Sequence, residues 1–162
     1  MGSGKTTVGR LLAEQSGMRF VDTDALLTER AGCPITEIFA AEGEAGFRDR
    51  ETALLRELAD DGRQGRVFAT GGGMILRPQN RTLLHRLGTV VWLTLPPQEV
   101  LARLSGDTTR PLLQGADRLQ KVERLMAERE PLYRDAADLA VAVAGRTPLE
   151  IVEELRRRAS VR

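Results

Sequence analysis

A single α/β domain built on a parallel sheet is the architecture to expect from these 162 residues, and three observations point to it. Short apolar runs alternate with amphipathic helical stretches along the whole chain, the pattern of βαβ units. The opening residues, Gly2-Ser3-Gly4-Lys5-Thr6-Thr7, read as the back half of a phosphate-binding loop, G-x-x-x-x-G-K-[ST], and run straight into a helix. Carboxylates and glycines follow the expected strands directly, at the strand ends where such sheets bind ligands.

The loop matches its pattern at Gly4, Lys5 and Thr6, while the first glycine of the pattern would fall before Met1. In such a loop backbone N–H groups surround phosphate oxygens, the lysine reaches the outer phosphates and the hydroxyl ligates Mg²⁺. The helix after it turns Val8, Leu11 and Leu12 inward and ends at Gly17. Lys5 and Lys121 are the only two lysines among 24 basic residues. A chain so biased toward arginine that keeps a lysine here needs a compact ammonium.

Met18-Arg19-Phe20-Val21 is a short buried strand ending at Asp22-Thr23-Asp24. On an extended backbone both aspartates project to one side, one to serve a metal and the other a substrate hydroxyl. The alternative is that Asp24 only N-caps the Ala25-Leu26-Leu27 helix. Pro34 opens a short helix broken at Gly43, and a longer one runs from about Glu44 to Ala59 with Phe47, Leu54, Leu55 and Leu58 inward. Arg48 and Glu51 lie three apart on an adjoining face, either as a solvated pair of little energetic weight or as residues lining a cleft.

Arg66–Thr70 is the next strand, and Gly71-Gly72-Gly73 follows at once. Three glycines in a row cost chain entropy, so either backbone approaches a ligand there or the segment is a plain turn. His85, the only histidine, has no metal-ligand partners nearby in sequence. Thr89–Leu95 is the clearest buried strand, closed by Pro96-Pro97. The helix beyond it turns Val100, Leu101 and Leu104 inward and carries Arg103 near its end. Ser105–Pro111 is polar and glycine-containing, a lid candidate with Arg110 at its centre. From Arg118 a helix with Leu119, Val122, Leu125 and Met126 inward leads to Pro131-Leu132-Tyr133-Arg134. Asp138–Val143 is the last strand, and Pro148 begins the final helix with Leu149, Val152 and Leu155 inward. Its Arg156-Arg157-Arg158 end suits a helix C-terminus.

Charges nearly cancel at +1, so no broad field for nucleic acid or membrane is expected. The lone Cys33 forms no internal disulfide, and the apolar run Val90–Leu93 is far short of the roughly 20 residues of a bilayer span. A cytoplasmic protein, a monomer that engages neither nucleic acid nor membrane, is the expectation.

Taken in order, Gly2–Gly9, Asp22-Thr23-Asp24, Gly43-Glu44 with Phe47-Arg48 and Glu51, Gly71-Gly72-Gly73, Arg110–Leu113 and Pro131–Arg134 resemble shikimate kinase over essentially the whole chain. The resemblance implies a three-layer P-loop kinase fold, a parallel sheet of order 2-3-1-4-5 with helices on both faces. It implies one domain over 1–162, with a shikimate-binding segment at about 24–60 and a lid at about 105–117. The reaction implied is phosphorylation of the 3-hydroxyl of shikimate by ATP with Mg²⁺. Carried across, Gly2, Ser3, Gly4, Lys5, Thr6 and Thr7 bind the phosphates, Thr6 and Asp22 serve Mg²⁺, and Asp24 binds the acceptor hydroxyl as general base. Arg48 and Arg134 grip the carboxylate, Glu51 steadies Arg48, and Gly71, Gly72 and Gly73 lie against the ring hydroxyls. Arg110 closes with the lid, and Arg103 with Pro148 sandwiches the adenine.

Family members carry an apolar strand before this loop, the middle one of the sheet. In its absence the flanking strands face a gap of about two 4.8 Å spacings. A truncated or mis-started reading frame is the expectation, with low stability for the chain as it stands. The competing readings are a gluconate-type or nucleotide kinase on the same loop, and an inactive nucleotide-binding fragment.

Overall fold

In the structure, a computed structural model describing residues 2–104 and 117–158, the elements follow the expected alternation. They are α1 (Lys5–Ser16), β1 (Arg19–Asp22), α2 (Thr23–Ala31), α3 (Ile35–Asp60), β2 (Arg66–Ala69), a 3₁₀ turn (Met74–Leu76), α4 (Pro78–Leu87), β3 (Val91–Thr94), α5 (Pro97–Leu104), α6 (Arg118–Ala136), β4 (Leu139–Ala142) and α7 (Pro148–Arg158). Glycines at positive φ set several of these boundaries. Gly17 (φ 63°) ends α1 with its N–H on the Ala13 and Glu14 carbonyls, and Gly43 (φ 69°, ψ −176°) bends α3 into the short and long arms anticipated from the sequence.

All strand pairing among the described residues is parallel, and it falls into two separate pairs. β1 lies beside β2 with Arg19 opposite Arg66 and Asp22 opposite Ala69. β3 lies beside β4 with Val91 opposite Leu139 and Thr94 opposite Ala142. Between β2 and β3 runs a cavity of about 1450 Å³, which separates the two pairs. Among the described residues each strand is paired along one edge, and the ladders are shorter than the apolar runs Thr89–Leu95 and Asp138–Val143.

Apolar faces of the helices build three adjoining cores. Val8 of α1 joins Val100, Val122, Val141, Val152 and Leu155. Leu55, Met74, Leu83, Leu84 and Ala136 tie α3, α4 and α6 together around the 3₁₀ turn. Leu27, Ile38, Phe47, Leu54 and Leu58 close α2 against both arms of α3. At Gly9 an added Cβ would stand 2.9 Å from the Phe20 ring and 3.6 Å from Val67, so the glycine lets α1 lie directly on β1 and β2.

Two inward assignments do not hold. Leu119 is 38% and Leu149 48% exposed, each standing in the first turn of its helix, Leu119 at the open end of the face that carries Val122 and Met126 and Leu149 beside the buried Ile151, Val152 and Leu155. No helix among the described residues is long and apolar enough to cross a membrane.

Candidate active site

The parallel register brings the ends of β1 and β2 out side by side, with Asp22 opposite Ala69. Directly beyond, the fully buried Thr23 donates its hydroxyl to the Ala69 carbonyl at 3.3 Å, which pins the start of α2 to the end of β2. Asp24 and Gly71 are thereby neighbours. A Cβ built on Gly71 would lie 2.7 Å from Asp24 Oδ1 and 3.2 Å from Glu51 Oε1.

Asp22, rather than Asp24, caps α2: its Oδ1 accepts from the backbone N–H of Asp24 (3.1 Å) and Ala25 (3.2 Å). The helix begins one residue earlier than an extended Asp22-Thr23-Asp24 would allow, so the two carboxylates are set by a helix turn and not by strand alternation. The second oxygen of Asp22 accepts from Thr6 Oγ1 at 3.0 Å, linking the phosphate-binding loop to the end of β1. Gly4 precedes Lys5 in a left-handed conformation (φ 80°), which only glycine adopts without strain. Ser3 is buried, and Ser3, Lys5, Gly71 and Gly72 all border the cavity between β2 and β3.

Arg48 and Glu51 form no solvated pair. Arg48 Nη1 donates to Glu51 Oε2 at 2.7 Å, the Arg48 side chain is 12% exposed and that of Glu51 1%. Arg48 Nη2 also donates to Glu44 at 3.1 Å. Burial works against the Arg48 charge, but the Glu51 and Glu44 carboxylates outweigh it and hold the guanidinium pKa above its ordinary value. Burial pushes the Glu51 carboxyl up, further than its bond to Arg48 pulls it down, and the Asp24 charge adds to the rise. Glu51 Oε1 is buried without a hydrogen-bond partner among the described residues.

The three glycines each meet a different functional group. Gly71 faces Asp24 and Glu51, and a Cβ on Gly73 would collide with the Arg48 guanidinium. A Cβ on Gly72 would stand 3.2 Å from the Tyr133 hydroxyl and 3.9 Å from Arg129 Nη1. Tyr133 donates to the Gly72 carbonyl at 2.5 Å and Arg129 does so at 3.5 Å. Burial raises the Tyr133 pKa, with Arg129 and then Arg48 opposing, so both guanidinium groups are felt at one phenol. The Tyr133 ring is held by stacking on Trp92 of β3 at 5.7 Å.

Arg134 is not the second arginine at these glycines. It is 74% exposed and pairs with Glu130 of its own helix at 2.7 Å. Five residues on an α-helix amount to about 140° of rotation, which separates Arg134 from Arg129. Val122, Met126, Arg129, Tyr133 and Ala136 follow the i, i+4, i+7, i+11 and i+14 spacing of one face, and that spacing is the signal that distinguishes Arg129.

A buried network missed in the sequence fixes Arg48 from behind. The Thr52 hydroxyl lies 2.9 Å from the Arg48 carbonyl and 2.8 Å from Asn80 Oδ1, and Asn80 Nδ2 donates to the Met74 carbonyl at 3.0 Å. The turn after the glycines is thus bound to α3 at the level of Arg48. Arg103, at the end of α5, donates to the Gly2 carbonyl (3.3 Å) and the Val143 carbonyl (3.4 Å), joining the loop to the segment after β4, beyond which Pro148 opens α7. Arg110 and positions 105–116 of the expected lid lie outside the described residues.

The family model described as shikimate kinase matches residues 1–160. A shikimate kinase from Halorhodospira halophila is 50% identical over 145 residues, 90% of this chain and 81% of that protein. A solved structure of shikimate kinase from Acinetobacter baumannii in complex with shikimate superposes with a TM-score of 0.90 at 42% identity, covering 99% of this chain and 89% of the other. A gluconokinase from Sinorhizobium meliloti shares the fold alone, at 20% identity and a TM-score of 0.56 over 99% of this chain and 89% of its own. With its parallel strands, its phosphate-binding loop and its arginine-lined glycine turn, the chain belongs to the shikimate kinase family.

Proposed function

We propose that this chain transfers the γ-phosphoryl group of ATP to the 3-hydroxyl of shikimate, giving shikimate 3-phosphate and ADP. The observation that carries the reading is the triple glycine: consecutive backbone positions face a carboxylate pair, a phenol with one guanidinium, and a second guanidinium. A ring bearing one carboxylate and several hydroxyls needs that combination. Arg48 and Arg129 take the carboxylate by forked hydrogen bonds, and glycine backbone and Asp24 take the hydroxyls. Asp24 accepts the proton of the 3-hydroxyl as its oxygen bonds to the γ-phosphorus and the bond to the β-phosphate oxygen breaks.

Gly2, Ser3, Gly4, Lys5, Thr6 and Thr7 hold the nucleotide phosphates, and Arg103 with Pro148 flanks the adenine. The Thr6 hydroxyl and the Asp22 carboxylate, 3.0 Å apart, are the hard oxygen donors that Mg²⁺ takes. Mg²⁺ held there would neutralise phosphate charge. Glu51 acts through Arg48, and Arg110 belongs to a lid at about 105–117. We place the shikimate-binding segment at about 24–60 of one domain, in a cytoplasmic monomer.

Release of ADP from ATP, measured with shikimate, gluconate or a nucleoside monophosphate as acceptor, tests the reading. Turnover with shikimate alone is expected. Turnover with gluconate and not shikimate would overturn it.

A further inference from the structure

Pro78 forces the residue before it out of the helical region, and Arg77 accordingly stands extended (φ −90°, ψ 128°) between the 3₁₀ turn and α4. Its carbonyl accepts from the Asn80 N–H at 3.0 Å, which fixes its backbone to the start of α4. From there its guanidinium reaches across to α3. Nη1 donates to Asp49 Oδ1 at 2.7 Å and to Thr52 Oγ1 at 3.2 Å, and Nη2 donates to the Ala45 carbonyl at 3.3 Å. Ala45, Asp49 and Thr52 are spaced i, i+4 and i+7, so one side chain spans a single face of the helix. The stretch it spans carries Arg48, and the turn it leaves from begins at Gly73. Its charge is also felt at Glu51, where burial raises the carboxyl pKa and Arg48 and then Arg77 oppose.

We propose, resting on the shikimate reading for the ligand, that Arg77 is a positioning residue: with Thr52 and Asn80 it clasps α3 to the turn after the glycines and so sets the Arg48 guanidinium against Gly73. Leu55 with Leu83 and Leu84 already joins α3 to α4 through hydrocarbon. Apolar contact is non-directional and tolerates sliding, whereas a fully paired polar cluster permits one register. Thr52 and Asn80 are 3% and 0% exposed, and they pair where α3 passes behind the glycine turn. The Asn80 amide has one orientation, because Nδ2 donates to the Met74 carbonyl and leaves Oδ1 for the Thr52 hydroxyl. Arg77 donates to the same hydroxyl from outside, and the proton of that hydroxyl stays available to Asn80 or to the Arg48 carbonyl. The contact between Gly73 and Arg48 is too close to admit a Cβ, so a small shift of α3 along α4 would carry the guanidinium off the turn.

Amide exchange and calorimetric binding on the full chain test this together. Arg77→Met keeps the length of a partly exposed side chain and removes its donors. Without ligand, it should speed exchange by at least about tenfold at the Met74 and Leu76 amides, which close the turn on the Gly71 and Gly73 carbonyls, and leave the buried Val152 unchanged. The Kd for shikimate should rise about three- to tenfold and the Kd for ATP should stay the same. In an Arg48→Lys background, which lacks the guanidinium fork, Arg77→Met should weaken shikimate by less than about twofold further, because both changes act on one contact. Arg77→Lys keeps the charge without the fork, should fall between native and Arg77→Met, and gives the reading if Arg77→Met does not fold. Unchanged exchange at the turn, an equal loss in both Arg48 backgrounds, or an equal loss for ATP would overturn the proposal. If the native chain binds no shikimate, the kinase reading is what fails, and the exchange rates still decide for or against the clasp.

Discussion

Replacing Asp24 by Asn preserves size and removes the proposed base, so Asp24→Asn should lower kcat by roughly 10²–10⁴ and leave ATP affinity near its original value. Steady-state turnover with varied ATP reads both. Glu51 carries a pH signature, because burial raises its carboxyl pKa in the folded chain above the ordinary 4.5. A raised acid binds its proton more tightly folded than unfolded, so its contribution to stability is full below 4.5 and is lost as pH rises through the folded value. Thermal midpoints of the native chain and of Glu51→Gln should therefore converge or cross in favour of the native chain on acidification. Parallel pH profiles would contradict this. Spacing alone leaves Asp24 as either a site residue or a cap and Arg48 with Glu51 as either a solvated pair or a cleft lining; the family resemblance singles them out, and burial of the Arg48–Glu51 pair is a tertiary property. Arg129 was not legible, because in a chain with 22 arginines only helical phase separates it from Arg134.

At the scale of elements, the glycine turn and α6 meet where Tyr133 and Arg129 donate to the Gly72 carbonyl, the cleft proposed above for the carboxylate. Gly73 has an ordinary φ of −93°, so Gly73→Ala introduces no backbone strain and only a methyl against the Arg48 guanidinium. Its effect should appear as a raised KM for shikimate, by about tenfold or less, with the melting temperature almost unchanged. A large melting change with unaltered KM would mean that the glycine serves folding instead. The Thr52–Asn80 bond is fully buried between α3 and α4, so Thr52→Val leaves Asn80 Oδ1 unpaired and should cost about 1–3 kcal/mol in denaturant unfolding. Helix and strand positions were readable from periodicity and from Gly17 and Gly43. The helical start at Thr23 was not, although its cap, Asp22 Oδ1 on the Asp24 and Ala25 N–H groups, is local; the Thr23 hydroxyl bond that ties this start to β2 joins residues 46 apart.

For the whole molecule, the alternation along the sequence announced a parallel α/β sheet, while the order in which the described strands lie, β1 beside β2 and β3 beside β4, was anticipated only through the family resemblance. The approach of Asp24, Glu51, Arg48 and Arg129 to the glycine turn was not legible, since it depends on the register of β1 with β2 and on the docking of α6 across Gly72. The central claim is that Arg48, Arg129, Asp24 and Lys5 serve a single cleft. Calorimetric titration of shikimate into the Arg129→Ala and Arg134→Ala variants tests it most directly. Loss of about 1.5–3 kcal/mol of binding, or roughly ten- to 150-fold in Kd, is predicted for Arg129→Ala, and a change within about 0.5 kcal/mol for Arg134→Ala. The reverse order, with Arg129→Ala binding normally and Arg134→Ala failing to bind, would contradict the account.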